Sequence, residues 1–151
     1  MVSKIDYLHE LEPKVSVKLT NIFMKRLQRC QKSLIKENMS AIIFTYSRDV
    51  YYYTGISQPA ILLVTPRSFY LFIRRGCKPS KNILPLNREW LKKGNEKDVA
   101  RKLREIGKDE LRIGLEMDTI AADYYLLWRE LLPNCVFVNG SALILNQRQA
   151  K

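Results

Sequence analysis

The residues able to do chemistry are few and scattered. The chain has one histidine, His9, and three cysteines, Cys30, Cys77 and Cys135, with no CxxC pair. Structural zinc needs four converging Cys or His ligands, and this set does not supply them. A Ser-His-Asp triad needs a histidine inside the fold, and His9 sits in an aperiodic N-terminal stretch. Glu116 and Asp118 stand together at the end of an apolar run, but the run at 41–46 carries no acid to meet them. A two-metal hydrolytic centre built on strand ends is therefore not expected. No GxxxxGK-S/T, GxGxxG or GxSxG motif is present.

Two binding features remain. Tyr51-Tyr52-Tyr53 could stack on bases, or could alternate between the core and solvent. Arg48 and Asp49 follow the run at 41–46, at the point where open α/β sheets place binding residues. They could equally form a local ion pair or a helix cap. Trp90 and Trp128 read as packing residues, as do Cys30 and Cys135.

The totals describe one domain. The chain has 151 residues, 46% of them hydrophobic and 27% charged, which is enough for a buried core. The dispersed, odd cysteine count suits a reducing compartment, and the cytoplasm is expected. There is neither a signal-peptide pattern nor an apolar run long enough to span a membrane. The net charge of +11 is uneven: residues 67–104 hold twelve basic and three acidic side chains, residues 105–151 five and seven. Such a basic middle could bind nucleic acid, but a solvated lysine-rich face accounts for it as well, and nucleic acid is not the expected partner.

The elements follow from periodicity. Phe23, Leu27, Cys30 and Leu34 mark one face of a helix that Asn38 ends in a left-handed conformation. Residues 41–46 read as a strand buried on both faces. An aromatic turn closed by Thr54-Gly55 follows, and Gly55 is expected at positive φ. Leu62–Thr65 and Phe69–Ile73 flank Pro66 as a hairpin. A short strand is expected around Ile83–Leu86. Asn95 caps a helix with Val99, Leu103 and Ile106 inward, and Gly107 ends it. A strand spans Leu111–Met117. Asp118 or Thr119 caps a helix with Ile120, Tyr124, Leu127 and Leu131 inward, and Pro133 stops it. Cys135–Val138 is the last strand, and Ser141 caps a final helix. The pattern predicts an α/β domain with a mixed β-sheet and helices on its faces. Its core should contain Ile43, Phe44, Leu62, Val64, Ile113, Leu115 and Val136.

These segments resemble, in order, the N-terminal domain of the creatinase/prolidase/aminopeptidase P family of metallopeptidases. The similarity runs from Asn38-Met39-Ser40 and the strand at 41–46 through Asp49-Val50-Tyr51-Tyr52-Tyr53-Thr54-Gly55 and Ser57-Gln58-Pro59. It continues in Leu71-Phe72-Ile73-Arg74-Arg75-Gly76, Arg112-Ile113-Gly114-Leu115-Glu116 and the helix through Leu132-Pro133. It ends in Asn146-Gln147-Arg148-Gln149-Ala150-Lys151, which is similar to the stretch entering the family's catalytic domain. The resemblance implies a fold with a ribonuclease H-like motif. Residues 1–19 show no sustained period and read as an extended arm, and the resemblance implies the domain over 20–141 and a linker helix over 142–151 leading to a catalytic domain outside this chain. It implies no cofactor here, and a divalent metal pair in that catalytic domain. The expected role is non-catalytic: dimerisation, and restriction of the active site of a Xaa-Pro aminopeptidase or dipeptidase to short peptides. The expected partners are the catalytic domain, a second copy in a homodimer, and short Xaa-Pro peptides. Arg48, Asp49 and Tyr53 would face the substrate in the full-length dimer. The alternatives are a protein-tail-binding domain of an inactive relative and a basic nucleic-acid-binding module.

Overall fold

The computed structural model describes residues 21–74, 90–107 and 110–149. The arm at 1–19 with His9, Cys77, and the strand expected around 83–86 lie outside them. Helix α1 covers residues 21–36. The other elements are β1 (Ala41–Phe44), α2 (Ser47–Thr54), β2 (Ala60–Val64), β3 (Phe69–Ile73), β4 (Leu91–Lys93), α3 (Glu96–Ile106), β5 (Arg112–Leu115), α4 (Ala122–Leu131), β6 (Val136–Asn139) and α5 (Ser141–Gln149).

The six strands form one mixed sheet in the order β4-β3-β2-β1-β5-β6. The β2–β3 hairpin makes β1–β2 and β2–β3 antiparallel, whereas β3–β4, β1–β5 and β5–β6 are parallel. The hairpin turn is held by the Thr65 hydroxyl, which accepts the Ser68 N–H at 3.0 Å. Alternate residues of β1 feed two cores. Ile42 and Phe44 pack with Leu27, Cys30, Leu34 and Tyr53, and with Leu143 and Ile144 of α5. Ala41 and Ile43 pack with Val99 and Leu103 of α3 and with Trp128 of α4. The period-two alternation of a strand thus builds a layer of helices on each face.

The expected terminators act. Asn38 takes φ 55°, and Met39 N–H bonds Leu34 C=O behind it at 2.8 Å. Asn95 and Asp98 form a reciprocal capping box on α3. Gly55 has φ 75°, as expected, but it caps a two-turn helix, α2, where a turn was expected.

Several expectations are corrected. β1 ends at Phe44 and not at 46, because a side chain takes the next two N–H groups. Ile106, Leu127 and Val136 are 42%, 37% and 38% exposed, so they are not core residues. Val136 lies on an edge strand, and the inward position on α4 belongs to Trp128, which is fully buried. α4 starts at Ala122 without a side-chain cap; Asp118 instead accepts the Ser141 hydroxyl at 2.5 Å. Ser141 N–H is met by Asn139 Oδ1, so Asn139 serves the cap expected of Ser141. β4 had no sequence signal, since Leu91-Lys92-Lys93 carries one apolar residue. Leu143, Ile144 and Gln147 of α5 are buried, and Leu143 and Ile144 pack with Ile42 and Phe44 of β1.

Candidate functional site at the carboxyl end of the sheet

β1 and β5 are parallel neighbours with Ile43 opposite Leu115. Their carboxyl ends therefore meet, and Glu116, the residue after β5, faces the start of the β1–α2 connection. Glu116 Oε1 accepts the Thr45 N–H at 2.6 Å and the Tyr46 N–H at 3.0 Å. These are the donors that a continuing strand would have paired. α2 has no side-chain cap of its own; the carboxyl group from β5 fixes its entry instead.

α2 then spends its polar residues inward. Asp49 is buried in the first helical turn, and Arg148 of α5 donates to its Oδ1 at 2.6 Å. The Tyr53 hydroxyl donates to Gln147 Oε1, and Gln147 Nε2 donates to Arg26 C=O of α1 at 3.3 Å. Arg26 donates to Tyr52 C=O at 2.8 Å and lies 4.2 Å from the Tyr52 ring centroid. Arg148 lies over the same ring at 5.7 Å. The network clamps α1, α2 and α5 together around Tyr52.

The electrostatics follow from burial. Desolvation pushes the Glu116 carboxyl up to about 9, and the neighbouring Asp49 carboxyl adds to the rise against the opposing Tyr46 and Thr45 N–H groups. Burial pushes the Cys30 thiol up to about 12, so it is not a nucleophile. Burial, followed by Cys30, raises the Tyr53 phenol. Burial also raises the Tyr124 phenol, and Glu96 adds to that rise.

Beside the corner lies an open cleft of about 280 Å³, lined among others by Tyr46, Ser47, Pro59, Arg74, Glu96 and Tyr124. Tyr124 OH donates to Glu96 across it at 3.2 Å. Among the described residues no group of three or more His, Cys, Asp or Glu could hold a metal ion. No described helix is long and apolar enough to cross a membrane.

The three sequence candidates thus separate. Arg48 is exposed at the start of α2. Asp49 and Tyr53 turn into the domain, where Arg148 and Gln147 occupy them. Tyr51 is exposed, Tyr52 half-buried and Tyr53 buried, so the three rings form no continuous platform. Sequence reasoning missed the roles of Glu116, Arg148 and Gln147. The one available signal was an acid, Glu116, directly after an apolar strand.

Comparison with known proteins completes the description. The family model described as Creatinase/Prolidase N-terminal domain matches residues 26–150. Curated protein sequences yield no match. Solved structures share the fold. The structure of an aminopeptidase P, a Xaa-Pro aminopeptidase, from Streptococcus thermophilus aligns with TM-score 0.67 and 16% identity over 83% of this chain and 98% of that one. The N-terminal domain of the cytoplasmic peptidase PepQ from Mycobacterium tuberculosis aligns with TM-score 0.68 and 17% identity over 82% and 98%. The X-Pro aminopeptidase from Thermotoga maritima aligns with TM-score 0.69 and 14% identity over 83% of this chain. This chain spans 36% of that protein's length.

Proposed function

Because the chain belongs to the creatinase/prolidase N-terminal domain family, we propose that it is the non-catalytic module of a cytoplasmic Xaa-Pro aminopeptidase or dipeptidase. The supporting observation is the extent of the family match, which covers both helical layers and runs through α5. In this reading the module works beside a C-terminal catalytic domain that holds a divalent metal pair. It contributes to a homodimer and narrows access to the active site, so that short Xaa-Pro peptides enter. Residues 142–151 lead toward the catalytic domain. Arg48 is the candidate to face substrate, because it alone of the three sequence candidates projects to solvent.

The test compares the 151-residue chain with the full-length protein, each supplied with manganese and a series of Xaa-Pro peptides. Turnover is expected only from the full-length protein. Cleavage by the chain alone would overturn the reading. Light scattering on the full-length protein, with and without residues 1–141, checks dimerisation; a dimer that persists without them would remove that part of the role.

A further inference from the structure

Glu116 is 1% exposed, and no ion pair among the described residues includes it. Its Oε1 is filled by two backbone donors. Its Oε2 is buried without a donor among the described residues, yet this carboxyl lies within hydrogen-bonding reach of Asp49. Two ionised carboxylates have only lone pairs to offer each other. A buried carboxylate in that position would be both unpaired and repelled. One proton resolves both problems, because Oε2–H can then donate to Asp49. Asp49 is the acceptor of that proton's hydrogen bond, and its Oδ1 already accepts from Arg148 at 2.6 Å.

We propose that Glu116 is held as a neutral acid that shares its proton with Asp49, making the β1–α2 corner a proton-held joint that loosens as the pH rises. When the proton leaves to solvent, two adjacent buried carboxylates remain, and the Arg148 guanidinium pairs with Asp49. The corner then relieves the repulsion by opening and hydrating Glu116. α5 is affected too, because Asp49 is the partner of Arg148, and Tyr53 the partner of Gln147.

The groups around the joint do not compete for this role. From α2 these are Asp49, Tyr52 and Tyr53; from α5, Arg148; from α4, Tyr124, which senses Glu116 and bonds Glu96 of α3. From α1 they are Cys30 and Arg26. The phenols of Tyr53 and Tyr124 and the Cys30 thiol are all pushed upward, so they stay protonated below pH 9.

The experiment is amide hydrogen exchange on the 151-residue chain from pH 5.5 to 9, corrected for intrinsic exchange, with wild type beside E116Q. Protection in α2 is expected to fall with pH in wild type, by up to about tenfold per pH unit, the limit for one linked proton. In E116Q it should stay within about twofold. A wild-type α2 that does not respond, or an equal response in E116Q, overturns the joint. Should E116Q fail to fold, the ¹³C carboxyl shift of Glu116 in wild type decides. Titration above pH 7 supports the proposal, and an ionised Glu116 at pH 6 overturns it.

Discussion

Arg148 Nη2 lies 2.6 Å from Asp49 Oδ1, so the last described helix is tied to the first turn after β1 across 99 residues of sequence. Asp49 is 4% exposed, whereas the Arg148 side chain is 23% exposed. Removing the arginine leaves a buried charge, and removing the acid leaves one that solvent can reach. Arg148→Ala is therefore expected to cost about 2–4 kcal/mol, and Asp49→Asn less. Urea denaturation of both variants and of the double variant measures the coupling. A double variant equal to the sum of the singles would mean that the contact contributes nothing.

Glu116 sets a pH dependence of stability with a definite sign. Its pKa in the fold, about 9, stands above the ordinary 4.5. Between those values the folded state binds the extra proton, so the contribution is complete below about pH 4.5 and is lost as pH rises toward 9. Thermal unfolding from pH 5 to 9 should show Tm falling, with a flatter profile for Glu116→Gln. Parallel profiles would mean that another group governs the slope.

Gly55→Ala is expected to destabilise the domain by about 2 kcal/mol or more. The residue sits at φ 75°, where an L side chain is strained, and its Cβ would stand 2.8 Å from the Phe23 ring. Chemical denaturation of this variant checks it. A loss below about 0.5 kcal/mol would show that α1 yields to the added methyl.

Phe44→Ala is expected to cost about 3–5 kcal/mol, because Phe44 is fully buried and its ring lies 4.8 Å from that of Tyr53. Val136→Ala, on the exposed edge strand, should cost less than about 1 kcal/mol. Equal losses in denaturation experiments would mean that β1 is not the centre of the sheet.

Arg48→Ala tests the proposed role rather than the fold. Arg48 is exposed, so Tm of the 151-residue chain should stay within about 1 °C of wild type. In the full-length dimer that the proposed function describes, kcat/KM for a short Xaa-Pro peptide should fall about 10–100-fold, the loss expected for one charged contact. Unchanged kinetics would remove Arg48 from the substrate path.

The sequence by itself determined the elements whose cause is local. The apolar stripe Leu27–Cys30–Leu34, the left-handed Asn38 and Gly55, the Pro66 hairpin and the Asn95 cap all stand where their spacing placed them. Each depends on residues within a few positions of one another, so a linear reading reaches it. Periodicity failed where burial was decided at a distance. Leu127 and Trp128 are adjacent, and only the packing of α4 on the sheet chose Trp128. Val136 has the residue type of a core strand, but β6 became an edge. The site lies furthest from sequence. Parallel pairing of β1 with β5 brought Glu116 to Thr45, and the docking of α5 brought Arg148 to Asp49. Those contacts turned Asp49 and Tyr53 inward and left Arg48 in solvent. No local pattern encodes them, because charges and hydrogen-bond donors find partners through the topology of the whole chain.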